Sequence, residues 1–104
     1  MIVTTSESIP GKETVEALGI ARGSTVRARN IGRDIFAALK NVVGGEIEEY
    51  TTLQADAREQ ALQRMIEDAV SLDADAVINL RFSTSLIMQG ASEILAYGTA
   101  VRLK

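Results

Sequence analysis

The densest run of chemistry-bearing side chains is Asn30-Ile31-Gly32-Arg33-Asp34, which puts an amide, a guanidinium and a carboxylate close together. Apolar residues follow at helical spacing, so the run falls on a helix start. Free backbone N–H groups at such a start attract anions, and a guanidinium such as Arg33 can grip a carboxylate or phosphate through two bonds. The same residues also suit a purely structural role. Asn30 would cap the helix, Asp34 would complement its dipole, and Arg33 would pair with Glu13 or Glu16. Both readings stay open at this point.

Other polar groups are less specific. Glu13 and Glu16 lie on a strand with opposite parity, so a shared catalytic water between them needs a bent strand; paired-carboxylate chemistry requires a defined separation across a cleft. Glu46, Glu48 and Glu49, followed by Tyr50, offer oxygen ligands to a hard divalent cation such as Ca²⁺ or Mg²⁺. Their spacing lacks the pattern of an EF-hand loop, and acidic residues also suit a helix start. Asp73 and Asp75 flank Ala74 in a turn, where Asp is routine. Tyr50 and Tyr97 can stack on a ligand or fill a core or interface. Gly44-Gly45 lacks the Lys-Ser/Thr of a phosphate loop.

Composition closes off several classes of function. The chain has no cysteine and no histidine. Disulfides, thiolate or imidazole metal sites and Cys or His nucleophile–base pairs are therefore excluded. No activated-serine motif is present either, and the expectation is a protein that is not an enzyme. Net charge is −3 with 11 basic residues scattered along the chain, which disfavours nucleic acid as a partner. The opening MIVTTSESIPGK does not read as a signal peptide, and no apolar run approaches the ~20 residues of a membrane span. No membrane association and a cytoplasmic location are expected. The 104 residues fit one domain, 1–104.

The elements that must position these groups follow from periodicity. Ile2 to Thr5 reads as a strand, and Ser8, Pro10 and Gly11 as a turn. Thr14 to Arg29 is extended, but its alternation switches parity. Val15 and Ala17 share one side; Leu18, Ile20, Val26 and Ala28 take the other. Beside Gly19 and Gly23 this implies a bulge or bend, or else a hairpin around Ala21-Arg22-Gly23. A first helix starts at Asn30 with Ile31, Ile35, Ala38, Leu39 and Val42 on one side, and ends at Gly44-Gly45. A second runs from about Glu48 to Leu72 with Leu53, Ala57, Ala61, Leu62, Met65, Ile66, Ala69 and Leu72 as its apolar stripe. Ala76 to Ile87 alternates, with Ala76, Ile78, Leu80 and Phe82 expected on one face and Val77, Asn79, Arg81 and Ser83 on the other. Gln89-Gly90-Ala91-Ser92 is the turn, and Glu93 to Leu103 returns with two largely apolar faces.

The order ββααββ predicts an α+β fold, an antiparallel sheet with helices packed on one face. Two helices cover one side of such a sheet. The second apolar face and the proline-free edges then call for another partner, and homo-oligomerisation is the expected answer.

Taken in order, Thr4-Thr5, Gly11, Val15-Glu16, Gly19, Gly23, Asn30-x-x-Arg33-Asp34, Val43-Gly44-Gly45, Tyr50, Ala57-Arg58, Ala74-Asp75-Ala76-Val77 and Tyr97-Gly98-Thr99-Ala100-Val101 resemble the YbjQ family of small uncharacterised proteins. The resemblance implies a dodecin-like subunit in a homopentameric ring, no established enzyme activity, and a heavy-metal-binding label. Carried over as ligand-binding candidates are Glu16, Asn30, Arg33, Asp34 and Tyr50. With hard oxygen donors alone, a divalent cation such as Ca²⁺, Mg²⁺ or Mn²⁺ is the expected metal class. The functional expectation is an oligomeric module binding a metal ion or small anion at subunit interfaces. The alternative is a structural ring that docks partners on the charged helix face of Arg58, Glu59, Arg64 and Glu67.

Overall fold

The computed structural model describes residues 1–28 and 46–104. The expected first helix, from Asn30 to the Gly44-Gly45 stop, lies outside the described residues. The remainder is α+β: strands β1 (Ile2–Val3) and β2 (Thr14–Ala28), helix α1 (Glu46–Ser71), then strands β3 (Ala76–Met88) and β4 (Ala91–Leu103). The four strands form one sheet in the order β1-β3-β4-β2. β4 pairs antiparallel with both β2 and β3, whereas β1 runs parallel to β3. The sheet is therefore mixed, not wholly antiparallel as expected.

The path between β1 and β2 explains the difference. After Val3 the chain stays on the β3 edge. The Thr4 amide donates to Val77 O at 2.9 Å, and Thr4 O accepts from the Leu80 amide at 3.0 Å. It then crosses to the opposite edge of the sheet, and Ile9 packs on Ala76, Ile78 and Val101 as it passes. Pro10 and Gly11 close the crossing. The Lys12 amide donates to Ile9 O at 3.0 Å, with Gly11 at a φ of 78°. Pro at the second and a left-handed Gly at the third position define a type II turn. A crossing of this kind places β1 and β2 on opposite edges, where they cannot form a hairpin.

β2 is one continuous strand with register shifts between Thr14 and Glu16 and between Ala17 and Gly19. The parity switch is thus a bulge, with Gly19 at a φ of 133°, and the hairpin around Ala21-Arg22-Gly23 does not form. β3 carries register shifts of its own, between Ile78 and Arg81 and between Leu86 and Met88, that alternation does not reveal. At the first of these, Asn79 has a φ of 54°. An extra residue reverses the parity of everything after it. Leu80 consequently joins Val77 on the helix side, while Ala76 and Ile78 face the other way.

α1 lays Ala57, Ala61, Met65 and Ala69, all fully buried, over β2 and β4. Their four-residue spacing keeps them on one stripe, and three of the four are alanines, so the helix can come very close. At Gly23 it does. A Cβ built there would clash with the Met65 amide nitrogen and lie 2.5 Å from Ala61 O. The helix ends in a Schellman motif: the Asp73 amide donates to Val70 O at 2.9 Å and the Ala74 amide to Ala69 O at 3.1 Å. Asp73 supplies the left-handed residue, with a φ of 64°, and Ala74 packs into the cluster that contains Ala69.

Candidate functional site

Helix side chains reach past the core to the outer edge of β2. The Arg22 amide donates to Asp68 Oδ2 at 2.9 Å, Arg64 Nη1 donates to Ser24 O at 2.7 Å, and Arg27 Nη2 donates to Gln60 Oε1 at 3.2 Å. Backbone groups that would otherwise template a foreign strand are occupied along this stretch. Arg64 therefore belongs to the edge seal and is not simply part of a solvated helix face. At the other edge, β1 and the segment behind it cover only the start of β3.

The face opposite α1 is covered at one end, where Ile9 and Leu103 pack on Ala76, Ile78 and Val101. Beyond that cluster the described residues leave it open. Cross-strand partners share a face, so the register assigns it row by row. Ile20 and Ile78 flank Thr99, Arg22 and Arg81 flank Tyr97, and Ser24 and Ser83 flank Leu95. Val26 and Ser85 flank Glu93. Ile20 is 64% exposed, Val26 55% and Tyr97 37%. This face thus offers a tyrosine between two arginines, bordered by small hydroxyls and exposed aliphatics. Arg81 is anchored within it, since its Nη1 donates to Thr5 O at 2.9 Å and to Leu80 O at 2.8 Å. Neither Arg22 nor Arg81 stands out in the sequence. Without the extra residue at Asn79, Leu80 and not Arg81 would stand opposite Tyr97.

The sequence-derived candidates are placed as follows. Glu16 sits opposite Arg102 in the β2–β4 ladder, and its Oε1 is 3.8 Å from Arg102 Nε. Arg102 also donates from Nη2 to Asp73 Oδ2. The hydrogen bond and charge of Asp73 hold the Arg102 guanidinium above its usual range. The guanidinium therefore keeps its charge at every pH below strong alkali. Asp75 Oδ2 accepts from the Leu103 amide at 2.9 Å. Asp73 and Asp75 thus close the helix-to-strand corner. Asn30, Arg33 and Asp34 lie outside the described residues. Tyr50 falls in the first turns of α1, and its side chain lies outside the described set. Glu16 is tied through Arg102 to the far end of that helix, so within one chain about 30 Å of helix separates it from Tyr50 at 1.5 Å per residue.

A mixed four-stranded sheet with a helix packed on one face has solved counterparts. A protein of unknown function from Pediococcus pentosaceus matches it with a TM-score of 0.67 at 17% identity, over 100% of this chain and 98% of the other. That likeness concerns the fold alone. The chain belongs to the YbjQ family, whose model carries the description "Putative heavy-metal-binding" and matches residues 1–104. Among its relatives, a UPF0145 protein of Archaeoglobus fulgidus is 60% identical over 104 residues, covering 100% of this chain and 96% of the relative. One from Halorubrum lacusprofundi is 61% identical with 100% of both covered, and one from Vibrio campbellii is 54% identical with 99% of both. These names assign no activity. No helix among the described residues is long and apolar enough to cross a membrane.

Proposed function

We propose that this chain is a non-enzymatic subunit of a homo-oligomeric ring, five-membered as the family resemblance implies, which binds a small anion or hard divalent cation between its copies. The observation that carries this reading is the sheet face that the described residues leave open, where Ile20, Val26 and Tyr97 stand exposed around two arginines. Exposed aliphatic and aromatic surface of this kind marks interaction sites, and ligand pockets favour clefts between packed units. The separation of Glu16 from Tyr50 fits the same picture. A site using Glu16, Asn30, Arg33, Asp34 and Tyr50 together needs one end of α1 in one copy to meet the other end in the next. The ring is read as cytoplasmic, a compartment in which a chain without disulfides loses no stability.

Sedimentation at low micromolar concentration tests the assembly. The expected result is a particle several times the 11.2 kDa of one chain, reduced to monomer by Ile20→Lys with Val26→Lys while the circular dichroism of the fold is kept. A folded single-chain particle from the unmodified protein would defeat the reading. Ligand binding is checked separately: phosphate or Mn²⁺ should raise the melting temperature of the assembled form, and Arg33→Ala or Asp34→Ala should abolish the rise.

A further inference from the structure

The family description speaks of heavy metals, but the side chains decide which metals can be held. We infer that this chain takes no soft, thiophilic metal, and that any cation it binds is a hard one held by oxygen. Cadmium and copper(I) sites draw on thiolate or thioether sulfur, and zinc sites combine thiolate or imidazole with at most a minority of carboxylates; all 104 residues contain no Cys and no His.

The three methionines are the remaining soft donors. Met65 is fully buried against the sheet. Met1 precedes Ile2, which pairs with Ala76 at the start of β3, whereas Met88 ends that strand. At about 3.3 Å per residue they stand roughly 40 Å apart, so thioethers of one chain cannot converge.

Among the described residues, the carboxylates nearest one another are also engaged. Arg102 binds Asp73 and lies 3.8 Å from Glu16. Asp75 and Asp68 each accept a backbone N–H, from Leu103 and Arg22. Among the described residues, no group of three or more metal-ligating side chains comes together. Carboxylate and carbonyl oxygens in other arrangements suit Mg²⁺, Ca²⁺ or Mn²⁺. One route to a soft site remains, across copies: Met88 is exposed at the hairpin tip, and several could meet in an assembly. The inference holds with or without the ring, and its test is read apart from the oligomeric state.

The protein is prepared without a histidine tag, stripped with chelator, and loaded separately with Zn²⁺, Cd²⁺, Cu⁺ and Mn²⁺. After gel filtration the retained metal is measured by mass spectrometry, and melting temperature and sedimentation are followed on the same samples. Soft ions are expected to leave with the buffer and to cause no shift in melting. Retention of Mn²⁺ alone supports the inference equally. Stoichiometric Zn²⁺ or Cd²⁺ with a chelator-reversible rise in melting temperature would overturn it. So would Cu⁺ retained by the assembled protein and lost in Met88→Leu.

Discussion

Single residues carry the closest tolerances in this fold. Gly23 lies so close to the backbone of α1 that a methyl group there would clash with the Met65 amide. Backbone cannot rotate away as a side chain can. Gly23→Ala should therefore lower stability by about 3 kcal/mol, at the upper end for an overpacked core. Urea unfolding measures this, and an unchanged midpoint would mean that helix and strand do not touch. Thr25 predicts the opposite sign. Its side chain is buried on the helix side, and Oγ1 has no hydrogen-bond partner among the described residues. A buried hydroxyl without a partner carries its desolvation penalty uncompensated. Thr25→Val keeps the branched shape and should stabilise by about 1 kcal/mol. A loss of stability would reveal a partner for that hydroxyl.

At the scale of elements, the bulges at Gly19 and Asn79 and the helix stop decide which side chains meet. Asn79 holds a left-handed conformation that costs most L-residues about 1 kcal/mol or more. Asn79→Gly should be neutral or mildly stabilising, and Asn79→Ala should cost about 1 kcal/mol; the reverse order in thermal melts would show that no left-handed bulge exists there. Asp73 lends itself to a similar comparison at the Schellman turn. Asp73→Asn suits the left-handed backbone but removes the charge facing Arg102. The stability lost on making Asp73→Asn should shrink as salt is raised, since exposed pairs are screened.

These elements also mark what could be read in advance. The apolar stripe of α1 and the bulge beside Gly19 were legible because period and glycine placement record them directly. The assignment of Ala76, Ile78, Leu80 and Phe82 to one face was not. It rested on uninterrupted alternation, and an Asn in left-handed conformation leaves no gap in a hydrophobic pattern. The parallel pairing of β1 escaped for another reason: a two-residue strand carries no directional signal, and the turn at Pro10-Gly11 reads the same whether the chain doubles back or crosses the sheet. The candidate site suffered in turn, because Arg81 meets Tyr97 only through the register that Asn79 sets.

For the molecule as a whole, surface exposure and strand order matter most. Leu86, Ile87 and Met88 are strongly exposed at the end of β3, Leu86 at 77%, and among the described residues no strand pairs beyond them. If this tip is a contact between copies, Leu86→Lys should weaken assembly and leave the melting of the isolated subunit within about 0.5 kcal/mol of its original value, as for other surface changes. Concentration-dependent sedimentation separates the two effects.

Strand order also sets a timetable for folding. β3 and β4 are joined by a tight turn at Gly90 and can zip together locally, whereas β2 must find β4 across most of the sequence, Thr14 against Leu103 and Ala28 against Ala91. Loop closure of that length has to precede the contacts that reward it, which slows the reaction. Pulse-labelled hydrogen exchange should show amides of the β3–β4 pair protected first, with β2 the late arrival. Until it docks, the β4 edge of the young hairpin stays bare, and that interval is when the polypeptide is most vulnerable to aggregation.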